Sequence, residues 1–367
     1  MSQPSSSPRL VWLDQYRGYT VLAMFVVNFV GSFQAIPAWL KHHNTYCSYA
    51  DTIMPQFFFA VGFAYRLTFR RRQLADGWGT AARHALRRNL ALIVIGAVVY
   101  GLGHGLASWS ELTGPKLWPT LAAGLKRDLF QTLVHIGVTS LWVLPVIAAP
   151  GWVRLAFAAA SAAAHLVISQ AGYYPWVNTP PNGIDGGPLG FLTWTVPLLV
   201  GSLACDVLTA DRPRLLPLGL FAVVLMLGGY GLACLNRVTP PNHAATAAEV
   251  LVEPPFVAPS RPVNVWTMSQ RSGSVSYLTF AAGFALAVAL LFVWSDRELG
   301  GEVGVFNTLG RNALAGYILH GMIEQPLKAW VPRDAPLWYV LAALALFLGL
   351  NWLALRYMEI KKIFIKL

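Results

Sequence analysis

Residues 214–235 read RLLPLGLFAVVLMLGGYGLACL, and the only charged residue in this run is the first, Arg214. A helix needs about 20 predominantly apolar residues to cross the hydrocarbon core of a bilayer. The run therefore predicts a transmembrane helix. Similar apolar stretches recur along the chain, and the full set of predicted helices is 18–37, 50–69, 89–107, 129–148, 152–170, 189–208, 214–235, 275–294, 303–323 and 336–356.

The composition of the 367 residues agrees with this prediction. Hydrophobic residues make up 56% and charged residues 12%, whereas soluble proteins carry about 25% charged residues. Such a chain must bury its apolar surface, which excludes a disordered protein. We predict an all-α fold: a single polytopic membrane bundle of about ten transmembrane helices over residues 1–367. Residues 1–16 form a short tail, and the two long loops are 171–188 and 236–274.

The charge distribution predicts the orientation in the membrane. There are 27 basic and 16 acidic residues, a formal net charge of +11. With the N-terminus inside, the predicted inner loops hold 18 of the basic residues and the outer loops hold 9. Basic residues concentrate in cytoplasmic loops, and the segment from Arg70 to Arg88 gives the strongest signal. We expect both termini to be cytoplasmic, the two long loops to be extracytoplasmic, and no nucleic-acid partner.

Cysteines and the N-terminus exclude other classes. Cys47, Cys205 and Cys234 are odd in number and have no paired spacing, which argues against a disulfide framework and against a zinc site. We predict no metal. The opening MSQPSSSPRL has no apolar core followed by a cleavage site, so we expect no removable signal peptide.

Polar residues inside predicted membrane helices mark candidate sites, because such side chains are costly in lipid and face the bundle interior. Asn28 needs an interior partner, either as interhelical glue or as an active-site group. Asn312, Gly316 and His320 are four residues apart and would form one polar stripe. Arg17 lies three residues after Asp14 and can pair with it at the inner surface.

A second group of candidates lies near the predicted membrane surfaces. His42 and His43 occupy an outer loop, and imidazole is the usual general base near neutral pH. Asp51 could orient either ring or cap the next helix. Arg87 and Arg88 begin a helix from the inside, where arginines either hold phosphates or act only as orientation signals.

Five segments in this order resemble the heparan-α-glucosaminide N-acetyltransferase family and its bacterial relatives. They are LDQYRGYTVLAMFVVNF at 13–29, KHH at 41–43, YADTIMPQFFFAVGFAYRL at 49–67, RRNLALIVIG at 87–96 and GRNALAGYILH at 310–320. The resemblance covers roughly residues 9–148 and 303–323 well and the middle of the chain loosely. It implies a transmembrane acyltransferase fold in the bacterial inner membrane, and relatives form homodimers.

The resemblance also implies a reaction. The family moves an acetyl group from cytosolic acetyl-CoA, a co-substrate, to an amino sugar or glycan acceptor across the membrane. It implies that His42 or His43 is the catalytic His and that Asn28 is the active-site Asn. His320 corresponds to a His of the family's Gly-x-Asn helix motif. Asp51 and His320 are thus substrate-binding candidates.

From these residues we expect a chemical mechanism. Arg87, Arg88 and neighbours hold the CoA nucleotide, and Arg17 and Asn312 are further candidates for contacts with acetyl-CoA. A His deprotonates the acceptor or is itself acetylated, and Asn28 donates a hydrogen bond to the developing oxyanion. The alternative is a multi-pass transporter or flippase without chemistry, although we find no internal repeat of the kind that many transporters show.

Overall fold

The computed structural model describes residues 10–100, 108–238 and 250–365, and within them the regular structure is helical with no β-strand. This confirms the all-α prediction. The α-helices are α1 Val11–Val30, α2 Ile53–Asp76, α3 Trp78–Tyr100, α4 Leu117–Ala123, α5 Thr132–Trp142, α6 Gly151–Ile168, α7 Tyr174–Asn178, α8 Phe191–Leu208, α9 Leu215–Val238, α10 Val275–Glu298, α11 Gly304–Arg311, α12 Ala313–Lys328 and α13 Leu337–Ile360.

The described helices include membrane-spanning candidates. Five are long and apolar enough to cross a bilayer: Gly151–Asn178, Gly187–Leu208, Leu215–Arg237, Val275–Glu298 and Leu337–Ile360. On α9, large apolar side chains point outward, with Leu216 74%, Leu220 59% and Leu227 64% exposed. Lipid, rather than water, suits such a surface. The chain is therefore a membrane-embedded helical protein, and the number of ten spans stays a prediction.

Several predicted helix ends in the first third of the chain are wrong. Helix α1 begins at Val11 and ends at Val30, not at 18 and 37. The prediction followed the apolar run, whereas the polar turn around Asp14 is part of the helix, and Pro37 disfavours a helical Ile36. Helices α2 and α3 continue through the basic segment between Arg70 and Arg88 and meet at Gly77, which has φ +82°. That segment is helical and not a loop.

The predicted helix 303–323 is also interrupted. It consists of α11 and α12, which are separated by Asn312 at φ −117° and ψ 30°. The predicted stripe through Asn312, Gly316 and His320 is therefore wrong at its first member, since Asn312 precedes the helix that carries the other two.

The described residues divide into two compact units. The first comprises residues up to Ile36 and from Val288 onward, and the second runs from Pro37 to Ala287. In the first unit, α1 and α11 meet through two glycines. A Cβ on Gly18 would lie 1.8 Å from the backbone oxygen of Phe306, and a Cβ on Gly310 would lie 1.9 Å from that of Asp14. Small residues of this kind let helix backbones touch.

The second unit contains a matching contact between α2 and α8. A Cβ on Gly62 would lie 1.8 Å from the backbone oxygen of Leu198, and a Cβ on Gly201 would lie 2.0 Å from that of Phe59. We call these two glycines the glycine pair. Helix α8 also packs on α5 and α6. The pair fixes the register of α2 against α8, and the candidate active site lies where these helices begin.

Candidate active site

The loop before α2 carries both histidines of the sequence analysis. A 3₁₀ turn at Ala38–Leu40 leads into it, and Asn44 turns the chain with φ +61°. The backbone oxygen of Asn44 accepts hydrogen bonds from the Arg271 amide at 3.0 Å and the Ser269 hydroxyl at 2.7 Å. The second long loop thus holds the histidine segment in place.

His42 forms a pair with Asp51. The imidazole Nδ1 lies 2.8 Å from Asp51 Oδ1, and because a carboxylate only accepts, Nδ1 carries the proton. Asp51 is buried, and its Oδ2 accepts from both the amide and the hydroxyl of Ser48 at 2.9 Å. The Tyr277 hydroxyl donates to the Asp51 backbone oxygen. Asp51 therefore orients His42 rather than capping α2, whose N-cap, Thr52, makes no side-chain cap bond.

The Nε2 atom of His42 is left with its lone pair. Gln270 makes a side-chain contact with the ring, and 33% of the His42 side chain is exposed to an incoming molecule. A buried carboxylate behind Nδ1 fixes the tautomer and stabilises the imidazolium that forms when Nε2 takes a proton. The geometry suits a general base.

His43 has a different environment. Its Nε2 lies 2.7 Å from the backbone oxygen of Ala38, which can only accept, so Nε2 donates. The ring stacks on Tyr46 with 4.4 Å between the centroids and 16° between the planes. The nitrogen that His42 leaves available is thus occupied in His43, and no carboxylate orients its ring among the described contacts.

A second carboxyl, which the sequence analysis did not select, acts on His42. Asp185 is 3% exposed, and its Oδ1 accepts from Gln270 Nε2 at 2.8 Å. Burial raises the pKa of Asp185 from 3.8 to about 7, against the opposing effects of the Gln270 hydrogen bond and the His42 charge. Asp185 is the only acid in its Gly- and Pro-rich loop, which is the one local signal for it. Nothing local to Gln270 points to this site.

The environment of His42 decides its protonation. Burial lowers the pKa of the imidazole, but the hydrogen bond and charge of Asp51, the charge of Asp185 and the contact with Gln270 outweigh it. The pKa of His42 is therefore raised above 6.5. A base needs the neutral ring, so activity should rise as the pH increases through this pKa.

This gives a prediction for Asp185→Asn. The substitution removes a negative charge that raises the pKa of His42, so that pKa should fall. The acid limb of the pH–activity profile should shift to lower pH, and so should the titration of the His42 ring measured by NMR on ring-labelled histidine. Asp211→Asn, in an exposed turn, is the control. An unchanged His42 titration would show that Asp185 does not act on the ring.

The first unit holds Asn28 and His320 in contact. The ring Nδ1 lies 2.6 Å from the Tyr317 backbone oxygen and donates to it, so Nε2 accepts from Asn28 Nδ2 at 3.4 Å. Phe25 stacks on the ring at 5.6 Å. Lys328 Nζ donates to the Asn28 backbone oxygen at 2.7 Å and pairs with Glu324 at 2.5 Å. His320 is thus the partner that a polar Asn28 requires.

Asn312 is the other predicted residue of this unit. It is 3% exposed, and neither atom of its side-chain amide has a hydrogen-bond partner among the described residues. Buried polar groups are usually satisfied, so this amide is available to a bound group.

The predicted donor-binding arginines lie on two helices. On α1, Arg17 is 38% exposed and lies 3.9 Å from Asp14. On α3, Arg87 is exposed, and Arg88 Nη1 donates to Asn89 Oδ1 at 3.4 Å.

An ion cluster of two buried arginines and a half-buried aspartate joins three helices of the second unit, and the sequence analysis missed its acid. Asp206 on α8 receives Arg66 of α2 in a bidentate pair, with Nε to Oδ1 at 2.9 Å and Nη2 to Oδ2 at 3.1 Å. It also receives Arg154 of α6. Arg66 donates to the Ile147 backbone oxygen at 2.6 Å, and Arg154 donates to the Ser202 hydroxyl at 2.8 Å. We call Arg66, Arg154 and Asp206 the arginine cluster.

The helical membrane fold and the oriented imidazole are compatible with a membrane-bound transferase. The chain belongs to the family described as "Acyltransferase domain", whose profile matches residues 10–356. It is therefore a member of a membrane acyltransferase family, and the family indicates acyl transfer as its activity. No curated protein matches the chain.

Proposed function

We propose that the chain transfers an acetyl group from cytosolic acetyl-CoA to an amino sugar or glycan acceptor on the extracytoplasmic side of a bacterial inner membrane. The observation that carries the proposal is the His42–Asp51 pair, in which a buried carboxylate holds Nδ1 of a partly exposed ring, in a loop predicted to be extracytoplasmic. The resemblance to the heparan-α-glucosaminide N-acetyltransferases supplies the donor and the acceptor class. Membership of an acyltransferase family does not favour a transporter without chemistry.

His42 is the proposed general base. Its Nε2 takes a proton from the acceptor amine or hydroxyl, and the freed nitrogen or oxygen attacks the thioester carbonyl. The C–S bond breaks, an amide or ester forms, and the imidazolium returns the proton to the leaving CoA thiolate. Asp51 holds Nδ1 throughout and stabilises the imidazolium.

A second route uses the same atom. Nε2 of neutral His42 attacks the thioester, the C–S bond breaks, and CoA leaves as the thiolate. The acceptor amine or hydroxyl then attacks the acetyl-imidazolium, the N–C bond to Nε2 breaks, and the acceptor's proton passes to the thiolate. Incubation with radiolabelled acetyl-CoA without an acceptor distinguishes the two routes. Label retained on the protein favours the intermediate, and label absent after rapid quenching favours direct transfer.

Arg87 and Arg88 are the proposed contacts of the CoA phosphates. They lie on α3, just before the apolar part of that helix. Arginine matches phosphate oxygens in a bidentate way. Arg87 is exposed and Arg88 is half-buried, on the side predicted to be cytoplasmic.

The test is acetyl-CoA binding followed by transfer. A ligand at 100 times its Kd stabilises a protein by about 2.7 kcal/mol, so acetyl-CoA should raise the unfolding midpoint in detergent, and AMP at the same concentration should raise it less. In proteoliposomes, a panel of amino sugars should then yield an acetylated product. Neither stabilisation nor product with any acceptor would refute the proposal, and movement of an unmodified sugar would support the transporter.

A further inference from the structure

A groove lies beside the histidine loop, in the second unit. The groove is shallow, since its volume of about 480 Å³ includes open solvent, and Tyr46 and Cys47 form one wall. The opposite wall comes from the end of α9 and from the second long loop. The backbone oxygen of Cys47 accepts from the Phe256 amide at 3.0 Å, which attaches the two walls to each other.

The groove is lined by two residues of the loop that carries the candidate base. Tyr46 lines it and stacks on His43, the residue next to His42. Asn44 and Cys47, on either side of Tyr46, are both hydrogen-bonded to the second long loop. A molecule in the groove would therefore lie against the segment that carries His42.

Much of the lining is apolar. Pro254, Pro255 and Pro259 contribute rigid apolar surface, and Met268 and the Tyr46 ring add to it. Ligand sites commonly combine such walls with a few polar groups that fix orientation. The flat C–H face of a sugar ring suits a wall of this kind, and its hydroxyls would meet the polar groups.

The polar groups of the groove have an excess of positive charge. Arg237 pairs with Glu253, with Nη2 to Oε1 at 3.2 Å, and Ser260 also donates to this carboxylate. Arg261 lines the groove, is exposed, and makes no ion pair within the part of the chain that the structure describes. Arg237, Arg261 and Glu253 together carry two positive charges and one negative charge.

One donor in the groove is unused. The side chain of Arg237 is 13% exposed. Its Nε–H is buried and has no acceptor among the described residues. A buried donor without an acceptor is costly, and a ligand oxygen could satisfy it. Arginine binds the paired oxygens of carboxylates and phosphates with good geometry.

We propose that this groove binds the acceptor, and that the acceptor is a sugar carrying an oxyanion, either a carboxylate or a phosphate. The inference rests on the proposed function, because it assigns the acceptor of that reaction. The ring lies against Tyr46 and the prolines, and the oxyanion lies against Arg261 and Arg237.

Direct binding tests the groove without any transfer reaction. Glucuronate, glucose 6-phosphate and neutral glucose are titrated against the full-length protein in detergent by saturation-transfer NMR. At least one of the two anionic sugars should bind more tightly than glucose, and which of them does so identifies the oxyanion. Arg261→Ala should weaken that anionic sugar about tenfold, as expected for a lost charged hydrogen bond, and leave glucose unchanged.

Controls separate charge from fold and groove from reaction. Lys116→Ala removes an exposed cation outside the groove and should change nothing, whereas Arg261→Glu should weaken anionic sugars more than Arg261→Ala does. Equal binding of all three sugars, or an Arg261→Ala protein that behaves like Lys116→Ala, would overturn the proposal. Acetyl-CoA stabilisation is measured separately, so a protein that is stabilised by acetyl-CoA but shows no preference for the anionic sugars refutes the groove alone.

Discussion

His42→Ala should reduce acyl transfer by about 10²- to 10⁴-fold, the usual contribution of a general base. The substitution removes the only ring of the loop whose Nδ1 is held by a buried carboxylate and whose Nε2 is available. Asp51 loses its Oδ1 partner but keeps both Ser48 hydrogen bonds at Oδ2, and stabilisation by acetyl-CoA reports whether the variant is folded. The rate is measured with saturating acetyl-CoA and the acceptor found in the screen.

His43→Ala is the matched control, because it removes the same ring one residue further on. Its Nε2 is bound to the Ala38 backbone oxygen and its ring is stacked on Tyr46, so it should keep most of the activity. Acetyl-CoA stabilisation should be the same in both variants. A large loss in His43→Ala together with a nearly active His42→Ala would reverse the assignment. Full activity in both would remove the catalytic imidazole from the mechanism.

Asp206→Ala should destabilise the protein by about 3–5 kcal/mol, the usual cost of removing one partner of a buried ion pair. The substitution leaves the guanidinium groups of Arg66 and Arg154 without their carboxylate, and these side chains are 6% and 0% exposed. It also disconnects α2, α6 and α8 at one point. The measurement is the thermal unfolding midpoint in detergent, with the fluorescence of the 14 tryptophans as the signal.

Asp211→Ala serves as the comparison for this variant. Asp211 is exposed, follows α8 by three residues and makes no ion pair within the described residues. Its midpoint should equal that of the wild type. Asp206→Asn keeps the hydrogen-bond acceptor without the charge and should fall between the two, which provides a measurement if Asp206→Ala does not accumulate. An Asp206→Ala midpoint equal to that of Asp211→Ala would mean that the arginine cluster does not stabilise the fold.

The helices that are apolar along their whole length could be predicted closely from the sequence. Helices α8, α9 and α10 begin within about two residues of the prediction because hydrophobicity alone defines them. Helices α1, α2 and α3 could not, because each continues into a polar segment where hydropathy falls but backbone hydrogen bonding persists. The break at Asn312 lies at the end of the polar stretch NTLGRN at 307–312, which the predicted helix 303–323 passes through.

In the candidate site, too, some residues could be predicted from local sequence and others could not. Asp51 follows His42 by nine residues, so a pair between them could be considered from local spacing. Asp185 and Gln270 come from loops far along the chain, and only the folded structure places them beside His42. The acid of the arginine cluster escaped notice because a single Asp near the end of an apolar helix is indistinguishable from a solvated terminal residue.

The glycine pair has a consequence for chemistry as well as for packing. Asp51 adjoins the start of α2, whereas Asp185 is tied to α8 through the Trp194 indole, which donates to its backbone oxygen at 2.8 Å. The two carboxyls that set the charge state of His42 are thus attached to different helices, α2 and α8. Gly62 lies eleven residues from Asp51, about 16 Å along the helix axis. Its contact with α8 sets the position of one helix, and so of one carboxyl, relative to the other. A larger side chain at Gly62 would therefore change the pKa of the His42 imidazole without contacting it.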